Sequence, residues 1–365
     1  MSRFLKSRNK KKYSVAVIGC GRIGSILEED LLRDKPCTHA GAFFAHPKAE
    51  ITAGCDIDEA KLKKFGEKWK VKKLYADYKE MLSAEKPDIV CVAAWTNLHK
   101  EMVIAAAESG AKGIFCEKPI AINSRDGQRM VDICGKRGVM LSINHERRYE
   151  YRYQKAKELV DSGAIGSLKA IIGNALSSGG VKAEVKKWGG GGYFHDGTHL
   201  IDLLLYFGGD IKWVSGFEDR PHGKNYIEET AGAVLAFRNG AMAFVEGGGG
   251  RKYFSFELDI QGTTGRIIIG NATNEYYTIA PSPRYSGFTE LEKRVPPFGY
   301  TKEPSRNMFA AGARDLVDSI ENGRTPLSNG EDGLMALKII EATYRSARSG
   351  GKRIFIPSSK KKRTT

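Results

Sequence analysis

Short apolar runs alternate with amphipathic segments throughout the first 145 residues of the chain. The apolar runs are nearly continuous in hydrophobic side chains and predict strands at residues 13–18, 50–56, 87–95, 112–119 and 139–146. The segments between them predict helices at residues 58–69, 97–110 and 124–138, and a further helical pattern follows residue 24. Buried strands that alternate with helices are typical of a parallel, doubly wound sheet with both faces covered.

A different pattern begins after residue 145. Residues 229–248 predict a β-hairpin in which Asn239 and Gly240 supply the positive φ angles of a tight turn, and the alternation continues through residues 254–270. A sheet is therefore expected to form most of this part. We expect an α/β protein with a first domain at 13–144, a second at 145–357, and basic tails at 1–12 and 358–365.

Gly19, Gly21 and Gly24 form a G-x-G-x-x-G motif directly after the first predicted strand. There the first glycine permits a tight turn, the second lets a pyrophosphate approach the backbone, and the third permits close helix packing. The motif predicts a Rossmann dinucleotide-binding domain, with the intervening Arg22 and Ile23 at the cofactor. Arg22 either contacts the pyrophosphate or faces solvent.

Asp56 ends the second predicted strand, 32 residues after Gly24. A carboxylate there accepts hydrogen bonds from the adenosine ribose and repels a 2′-phosphate, so NAD is favoured over NADP. The interval exceeds the usual ~20 residues, and residues 34–50 account for the excess. Alternatively, Asp56 only caps the following helix, although Asp58 is the better cap candidate.

Composition adds little to this picture. The 365-residue chain is 41% hydrophobic and 28% charged, and it has no apolar run long enough for a membrane span. The net charge is +15, but the two tails hold ten of the cationic residues, so nucleic acid is not expected as a partner. Six cysteines without a CxxC pair or disulfide framework favour a cytoplasmic location.

The segment His195-Asp196-Gly197-Thr198-His199 carries two histidines four residues apart. A zinc site would need an ordinary helix and a third ligand, but Gly197 is a poor helix-interior residue and no further ligand stands out downstream. No metal is therefore predicted. The segment is either a proton-transfer site or a helix start with Asp196 as the N-cap. The glycine runs at 189–192 and 247–250 predict flexible loops.

Five segments together resemble one family over about residues 13–357. The segments are AVIGCGRIG, TNLHKEMVIAAAESGAKGIFCEKPIA, LSINHERRYEYRYQKAKELVDSGAIGSL, GGGYFHDGTHLIDLLLYFGG and LSNGEDGLMALKIIEATYRSARSGGKRI. They are similar to the glucose–fructose oxidoreductase/inositol dehydrogenase (Gfo/Idh/MocA) family. The resemblance implies a Rossmann domain, an α/β domain with a large, open, mostly antiparallel sheet, and assembly as a homodimer or homotetramer, often through that sheet. It also implies a nicotinamide cofactor and hydride transfer at a secondary alcohol of a sugar, cyclitol or related polyol.

Glu117-Lys118-Pro119 matches the EKP motif of the family. The resemblance implies that Glu117 lies at the cofactor, that Lys118 holds the substrate hydroxyl and assists proton movement, and that the Lys118–Pro119 peptide is cis. The chemistry is reasonable, because an alcohol that loses hydride must also lose its hydroxyl proton, and an ammonium stabilises the developing alkoxide.

In the family, the two-histidine segment reads roughly D-x-G-x-H-x-x-D, with the histidine as general acid/base. His199 matches the histidine and Asp202 the last acid, but His195 occupies the first acid position and Asp196 stands one place later. Either Asp196 takes the role of the acid, or His195 replaces it in a two-histidine relay, or substrate binding differs.

Thr96, Asn97 and His99 match the cofactor-facing stretch of the family, and Trp95 stands where proline is common. Trp95 either stacks against the nicotinamide or the sugar, or fills a gap in the core.

Arg147 and Arg148, at the domain junction, resemble a basic pair of the family that could face an acidic or phosphorylated substrate. The alternative is that they pair with local acids such as Glu146 and Glu150.

These observations predict an NAD-dependent oxidoreductase of sugar-like secondary alcohols. Lys118 is expected on the hydroxyl, His199 as proton acceptor, and Asp196 or His195 beside it. Two alternatives stay open: an NAD-dependent glycoside hydrolase that uses transient oxidation, and a nucleotide-sensing binding protein without catalysis.

Overall fold

The computed structural model describes residues 12–177, 182–299 and 307–358. The first domain contains six strands: β1 (Tyr13–Ile18), β2 (Ala49–Cys55), β3 (Lys73–Tyr75), β4 (Ile89–Val92), β5 (Gly113–Cys116) and β6 (Met140–Ile143). Its helices are α1 (His39–Phe44), α2 (Glu59–Trp69), α3 (Tyr78–Glu85), α4 (His99–Glu108) and α5 (Ser124–Arg137). The strands pair in parallel in the order β3-β2-β1-β4-β5-β6, which confirms the predicted doubly wound sheet.

The predicted helix after Gly24 is wrong. Only one 3-10 turn forms there, at Ile26–Glu29. The Glu28 carboxylate accepts hydrogen bonds from the Cys37 backbone N–H (3.1 Å) and the Thr38 hydroxyl (2.8 Å), so the chain turns back instead of continuing as a helix. The longer helical segment comes later, as α1, with Thr38 as its N-cap.

The second domain is built on nine strands: β7 (Leu168–Leu176), β8 (Ile211–Asp219), β9 (Thr230–Phe237), β10 (Met242–Gly248), β11 (Ser255–Gly262), β12 (Gly265–Gly270), β13 (Asn274–Pro281), β14 (Thr289–Arg294) and β15 (Ile354–Phe355). They form one sheet in the order β14-β13-β12-β11-β7-β10-β9-β8-β15. Only β7 and β10 pair in parallel, so the expected large, mostly antiparallel sheet is confirmed. The helices of this part are α6 (Tyr151–Asp161), α7 (Val185–Trp188), α8 (Gly192–His195), α9 (Gly197–Gly208), α10 (Met308–Asn322) and α11 (Gly330–Arg348).

The hairpin of β9 and β10 forms as predicted, but its turn differs. Gly240 has a positive φ of 93°, whereas Asn239 is not in the left-handed region. The Asn239 side-chain oxygen instead accepts a hydrogen bond from the Ala241 backbone N–H (3.1 Å), and the Phe237 N–H donates to the Ala241 carbonyl (2.9 Å). Asn239 therefore builds the turn through its side chain, as asparagine often does.

Helix α10 covers the sheet of the first domain, although it comes from the far end of the chain. Its residues Phe309, Ala313, Leu316 and Val317 belong to one buried cluster with apolar side chains of β1, β4 and β5. A Cβ atom on Gly113 of β5 would lie 2.7 Å from Ile320, so glycine there lets this helix approach. The two parts of the chain therefore share a core.

Helix α11 connects the two sheets. It packs on α5 of the first domain and on α9 and β8 of the second, and its apolar side chains belong to a cluster that includes both domains. The N-terminus of α11 has a capping box between Asn329 and Asp332.

The face of the nine-stranded sheet opposite to α8, α9 and α11, hereafter the open face, carries apolar side chains that no helix of the described residues covers. Strand alternation and register place Ile172, Phe217, Phe244, Ile279, Leu291 and Phe355 on this face, each between 44% and 65% exposed. Among the described residues, no helix is long and apolar enough to cross a membrane.

Candidate active site

A cavity of about 960 Å³ lies between the two domains. The turn after β1, the EKP segment, the chain after β6 and the start of α9 all contribute to its wall. The predicted site residues among its lining are Arg22, Ile23, Glu117, Lys118, Arg147, Asp196 and His199. The fold therefore brings residues from four separate parts of the sequence to one place.

The glycine-rich turn fits the pyrophosphate of a dinucleotide. Gly19 has a φ of 92°, and a Cβ atom on Gly24 would lie 1.9 Å from the Gly19 carbonyl oxygen, so the turn cannot close with larger residues. At Gly21 a Cβ atom would meet nothing within 4 Å, which leaves the main chain open to a ligand. The Asp56 carboxylate supports the turn, because it accepts a hydrogen bond from the Cys20 N–H at 2.8 Å.

The helix-cap alternative for Asp56 is not what the structure shows. Asp58 is the N-cap of α2 and accepts a hydrogen bond from the Lys61 N–H. Asp56 accepts from the Asp58 N–H at 2.9 Å, which leaves lone pairs on its carboxylate at the carboxyl end of β2.

Glu117 is held in a buried hydrogen-bond network at the carboxyl ends of β5 and β6. Its carboxylate lies 2.8 Å from His39 Nε2 and accepts hydrogen bonds from the Asn144 amide (2.6 Å) and the Lys118 N–H (3.2 Å). Burial alone would raise the pKa of Glu117, but the hydrogen bond and charge of His39, the charge of Lys118 and the Asn144 amide together lower it to about 2. The carboxylate therefore stays ionised and fixes the backbone before Lys118.

Lys118 reaches across the cavity to the second domain. The Lys118–Pro119 peptide is cis, as the resemblance implied. The Lys118 ammonium donates a hydrogen bond to the main-chain carbonyl of His195 at 3.0 Å. The side chain is only partly buried, so its remaining protons can reach a bound molecule.

His199 lies in the first turn of α9 and is buried, with Nε2 3.4 Å from Glu146 Oε2. The pKa of His199 lies well below its usual value because burial, and then the positive charges of Lys118, His145 and Arg147, disfavour the imidazolium. The imidazole is therefore neutral at physiological pH and has a nitrogen lone pair that can accept a proton.

Asp196 begins α9, as predicted, but its side chain makes no capping hydrogen bond. Helix α8 leads directly into α9, and the Asp196 carbonyl accepts a hydrogen bond from the His199 N–H (3.2 Å). The carboxylate lines the cavity instead. The His195 ring packs edge-on against Phe194 and does not line the cavity, so His195 reaches the site through its carbonyl.

The buried carboxylate of Glu228 determines where this segment begins. It accepts hydrogen bonds from the backbone N–H groups of Gly191 (2.8 Å) and Tyr193 (3.2 Å) and from the Tyr344 hydroxyl (2.8 Å). A Cβ atom on Gly191 would lie 2.3 Å from the Glu228 carbonyl oxygen. The glycine run at 189–192 therefore includes the loop that joins α7 to α8, and this loop packs closely against its neighbours.

The two arginines of the domain junction have different surroundings. Arg148 is buried, and its guanidinium contacts Asp202 (2.7 Å), Asp332 (3.1 Å) and the Leu327 carbonyl (2.9 Å). Because its guanidinium is occupied in this way, Arg148 is not placed to contact a substrate. Its acidic partners are Asp202 and Asp332, which are distant in the sequence, and not the local acids Glu146 and Glu150.

Arg147, by contrast, lines the cavity and lies flat over the Phe256 ring at 3.7 Å. Of the two local acids proposed as partners, Glu150 binds Arg152 and Glu146 faces His199.

The segment after β4 does not line the main cavity. His99 is fully buried, with its ring nitrogens 3.0 Å from the Pro119 carbonyl and 3.1 Å from the Ala94 carbonyl, so it joins two loops. Trp95 is 67% exposed, which excludes the alternative that it fills the core. Thr96 and Asn97 lie in the 3-10 turn Thr96–Leu98 beside it.

His39, Asn144 and Glu146 are among the cavity and network residues that were not identified from the sequence. Asn144 follows β6 directly, as Glu117 follows β5, and the carboxyl ends of parallel strands meet at one edge, so Asn144 could have been found. Glu146 was considered only as an ion-pair partner of the junction arginines, and nothing near His39 indicated its role. Among residues 12–177, 182–299 and 307–358, no three His, Cys, Asp or Glu side chains are grouped to hold a metal ion.

Comparison with known families gives two matches along the chain. Residues 13–145 match the sequence model of the Gfo/Idh/MocA oxidoreductase family, NAD-binding Rossmann fold. Residues 157–354 match the model of the C-terminal α/β domain of the same family. Together these two models account for most of the chain.

Individual relatives match over nearly their whole length. A myo-inositol 2-dehydrogenase of Thermotoga maritima is 28% identical over 338 residues, which cover 91% of this chain and 95% of the relative. A scyllo-inositol 2-dehydrogenase (NAD(+)) of Bacillus subtilis is 26% identical, with 92% and 94% covered. Among solved structures, levoglucosan dehydrogenase in complex with NADH and levoglucosan superposes with a TM-score of 0.80 at 18% identity, with 95% and 100% covered, and so shows the same fold.

Proposed function

Because the chain belongs to the Gfo/Idh/MocA oxidoreductase family and has its NAD-binding Rossmann domain, we propose that it oxidises a secondary alcohol of a cyclitol or sugar. The observation that carries this proposal is the pairing of the Lys118 ammonium and the neutral His199 imidazole in one cavity with the glycine-rich turn. The two inositol dehydrogenases among its relatives support a polyol substrate.

Four residues would hold the cofactor. Gly19, Gly21 and Gly24 shape the turn that approaches the pyrophosphate, and Asp56 offers carboxylate oxygens to the ribose hydroxyls. When bound, NAD⁺ takes up the hydride from the alcohol carbon.

The remaining chemistry belongs to the second domain and the EKP segment. Lys118 binds the reacting hydroxyl and stabilises negative charge on its oxygen, while His199 Nε2 accepts the hydroxyl proton. Asp196 and Arg147 both line the cavity. Asp196 supports the proton transfer to His199, and Arg147 binds another group of the substrate.

The two alternative functions are not favoured. A glycoside hydrolase of this type would release sugar without accumulating NADH, but the named relatives are dehydrogenases. A binding protein without catalysis would have no need of the lysine and histidine, which both lie in the cavity here.

The test is NADH formation from NAD⁺ with myo-inositol, scyllo-inositol, aldoses, glucosides and sugar acids. We expect turnover on one of these classes, and a loss of about 100-fold or more in kcat for Lys118→Ala and for His199→Asn, as is typical for removal of an acid–base group. Lys72→Ala, an exposed lysine, is the matched control. Turnover that survives both site variants would contradict the proposal, and so would tight NAD⁺ binding without turnover on any class.

We further propose that the chain assembles into a homo-oligomer through the open face. Ile172, Phe217 and Phe244 lie on adjacent or neighbouring strands of this face, each more than 40% exposed. A continuous apolar surface of this kind on a sheet is typical of a protein interface.

A further inference from the structure

Glu146 is an acid in the cavity wall to which the proposed reaction gives no role. It begins the 3-10 turn Glu146–Tyr149, directly after the segment that follows β6, and its side chain is 18% exposed. Its Oε2 atom lies 3.4 Å from Nε2 of His199, the atom proposed to accept the substrate proton. Among the described residues, no lysine or arginine nitrogen lies within 4.0 Å of this carboxylate.

The charges around the two side chains come from three elements. The EKP segment contributes Glu117 and Lys118, and the junction contributes His145 and Arg147. The start of α9 contributes Asp196, and Glu150 lines the same cavity but is paired with Arg152. These are the groups that set the protonation of the pair.

Both members of the pair favour the neutral form. Burial raises the pKa of Glu146 to about 7, an effect that Glu117 reinforces and that Lys118 and Arg147 oppose. Burial and the neighbouring cations lower the pKa of His199. Two adjacent groups in this state titrate as a unit, and near neutral pH the carboxyl gains or loses a proton beside an imidazole that is neutral and has one unprotonated nitrogen.

We propose that Glu146 is a positioning residue for the proton transfer. Glu146 shares the proton that His199 takes up, and it thereby raises the proton affinity of the imidazole. In the step, the O–H bond of the alcohol breaks, its electron pair stays on oxygen, and an N–H bond forms at His199 Nε2. The ionised Glu146 carboxylate balances the positive charge on the ring and then takes up the proton. This inference rests on the proposed function of His199.

The sign of the pH dependence follows from this arrangement. With Glu146 present, activity requires the ionised carboxylate, so kcat/KM rises with pH through an apparent pKa near 7. With Glu146→Gln, the imidazole alone is the base, and its pKa lies well below its usual value. The acid limb therefore moves to lower pH, and the plateau falls because a weaker base accepts the proton less readily.

The experiment compares pH profiles of kcat/KM for the full chain, Glu146→Gln, Glu146→Asp and the exposed control Glu67→Gln. We expect the acid limb of Glu146→Gln to move by about one pH unit or more and its plateau to fall about 10-fold or more. Glu146→Asp retains a carboxylate and should keep the limb near its original position. A uniform loss in Glu146→Gln with an unmoved limb would overturn the inference, because a purely structural role has that result.

A second measurement needs neither substrate nor cofactor. The imidazole of His199 is followed by NMR over pH, and its signal is assigned as the one lost in His199→Asn among the seven histidines. We expect a step near pH 7 from Glu146 ionisation, which disappears in Glu146→Gln. An unchanged titration in that variant would overturn the inference. If the wild-type chain oxidises no alcohol, the proposed function fails, and this titration still decides whether the two groups form a pair.

Discussion

The Lys118 ammonium and the His195 carbonyl oxygen are joined by a hydrogen bond of 3.0 Å that crosses the cavity from one domain to the other. His195 stands where the family commonly has an acid. This difference changes the side chain at position 195, whereas the hydrogen bond with Lys118 uses the main-chain carbonyl, which any residue there would supply. Asp196, one residue later, lines the cavity wall, and we propose that its carboxylate takes the place of that acid.

This relationship predicts different results for two neighbouring substitutions. His195→Ala keeps the carbonyl and should retain kcat/KM within about 5-fold, whereas Asp196→Ala should lose about 100-fold, within the range for groups that assist proton transfer. Steady-state kinetics with the preferred polyol measures both. The reverse order would favour the two-histidine relay and contradict the role of Asp196.

The Glu117 network predicts a dependence of stability on pH. Its pKa is lowered to about 2 in the folded chain, so the carboxylate stabilises the fold above its unfolded pKa of about 4.3, and this contribution is lost as pH falls towards 2. Glu117→Gln should lower the free energy of unfolding at pH 7 by about 3 kcal/mol, as when one partner of a buried charge pair is removed.

Urea denaturation of this variant at pH 7 and at pH 3 tests the sign, with Glu67→Gln as the exposed control. The difference between wild type and Glu117→Gln should shrink at the lower pH. A difference that is constant or grows on acidification would show that the network does not hold an ionised carboxylate.

Two glycines of the first turn predict separable effects. A methyl group at Gly21 meets nothing in the chain, so Gly21→Ala should keep the melting temperature but weaken NAD⁺ binding about 10-fold or more, equivalent to ~1.4 kcal/mol. Gly24→Ala would place its Cβ atom 1.9 Å from a carbonyl oxygen, so it should lower both the melting temperature and the affinity for NAD⁺. Calorimetric titration with NAD⁺ and thermal melts distinguish the two. Gly135→Ala, on an exposed part of α5 with open space around it, is the control.

The open face predicts the effect of a charge on assembly. Phe244 lies near the middle of that face, and Phe244→Asp should convert an oligomer to monomers, because the interface would have to bury an unpaired carboxylate. Light scattering after size exclusion measures the mass. Leu31→Asp, at a side chain 95% exposed on the first domain, should leave the mass unchanged. A wild-type chain that is already monomeric would refute the proposed interface.

Much of the first domain could be predicted because its signals are local. The strand at 13–18 was predicted with the bounds that it has, and Asp58 caps α2 as expected. The helix predicted after Gly24 does not form, because the Glu28 side chain accepts a hydrogen bond from the backbone N–H of Cys37, nine residues later in the sequence. Hydrophobic periodicity does not detect such a contact.

The candidate site likewise contains some residues that local motifs identify and others that only the fold reveals. Lys118 and His199 stand in recognisable motifs, and both line the cavity. Glu146, Arg147 and Arg148 are three consecutive charged residues. Only the fold determines that Glu146 faces His199, that Arg147 lines the cavity and that Arg148 forms an internal ion pair with Asp202. Burial of a charged residue depends on distant partners such as Asp202, which the local sequence does not reveal.

The return of α10 to the first sheet has a consequence for how the protein is made. A ribosome releases β1 to β6 long before residues 308–322, so the part of one face of the Rossmann sheet that α10 covers stays open for most of translation, although α1 and α2 pack on the same face. The nascent chain must therefore keep Val15, Ile89 and Phe115 from aggregating until Leu316 and its neighbours emerge. The same geometry limits protein engineering. A chimera that exchanges the first 145 residues with a relative must also exchange α10, because the side chains of α10 pack against those of the Rossmann sheet.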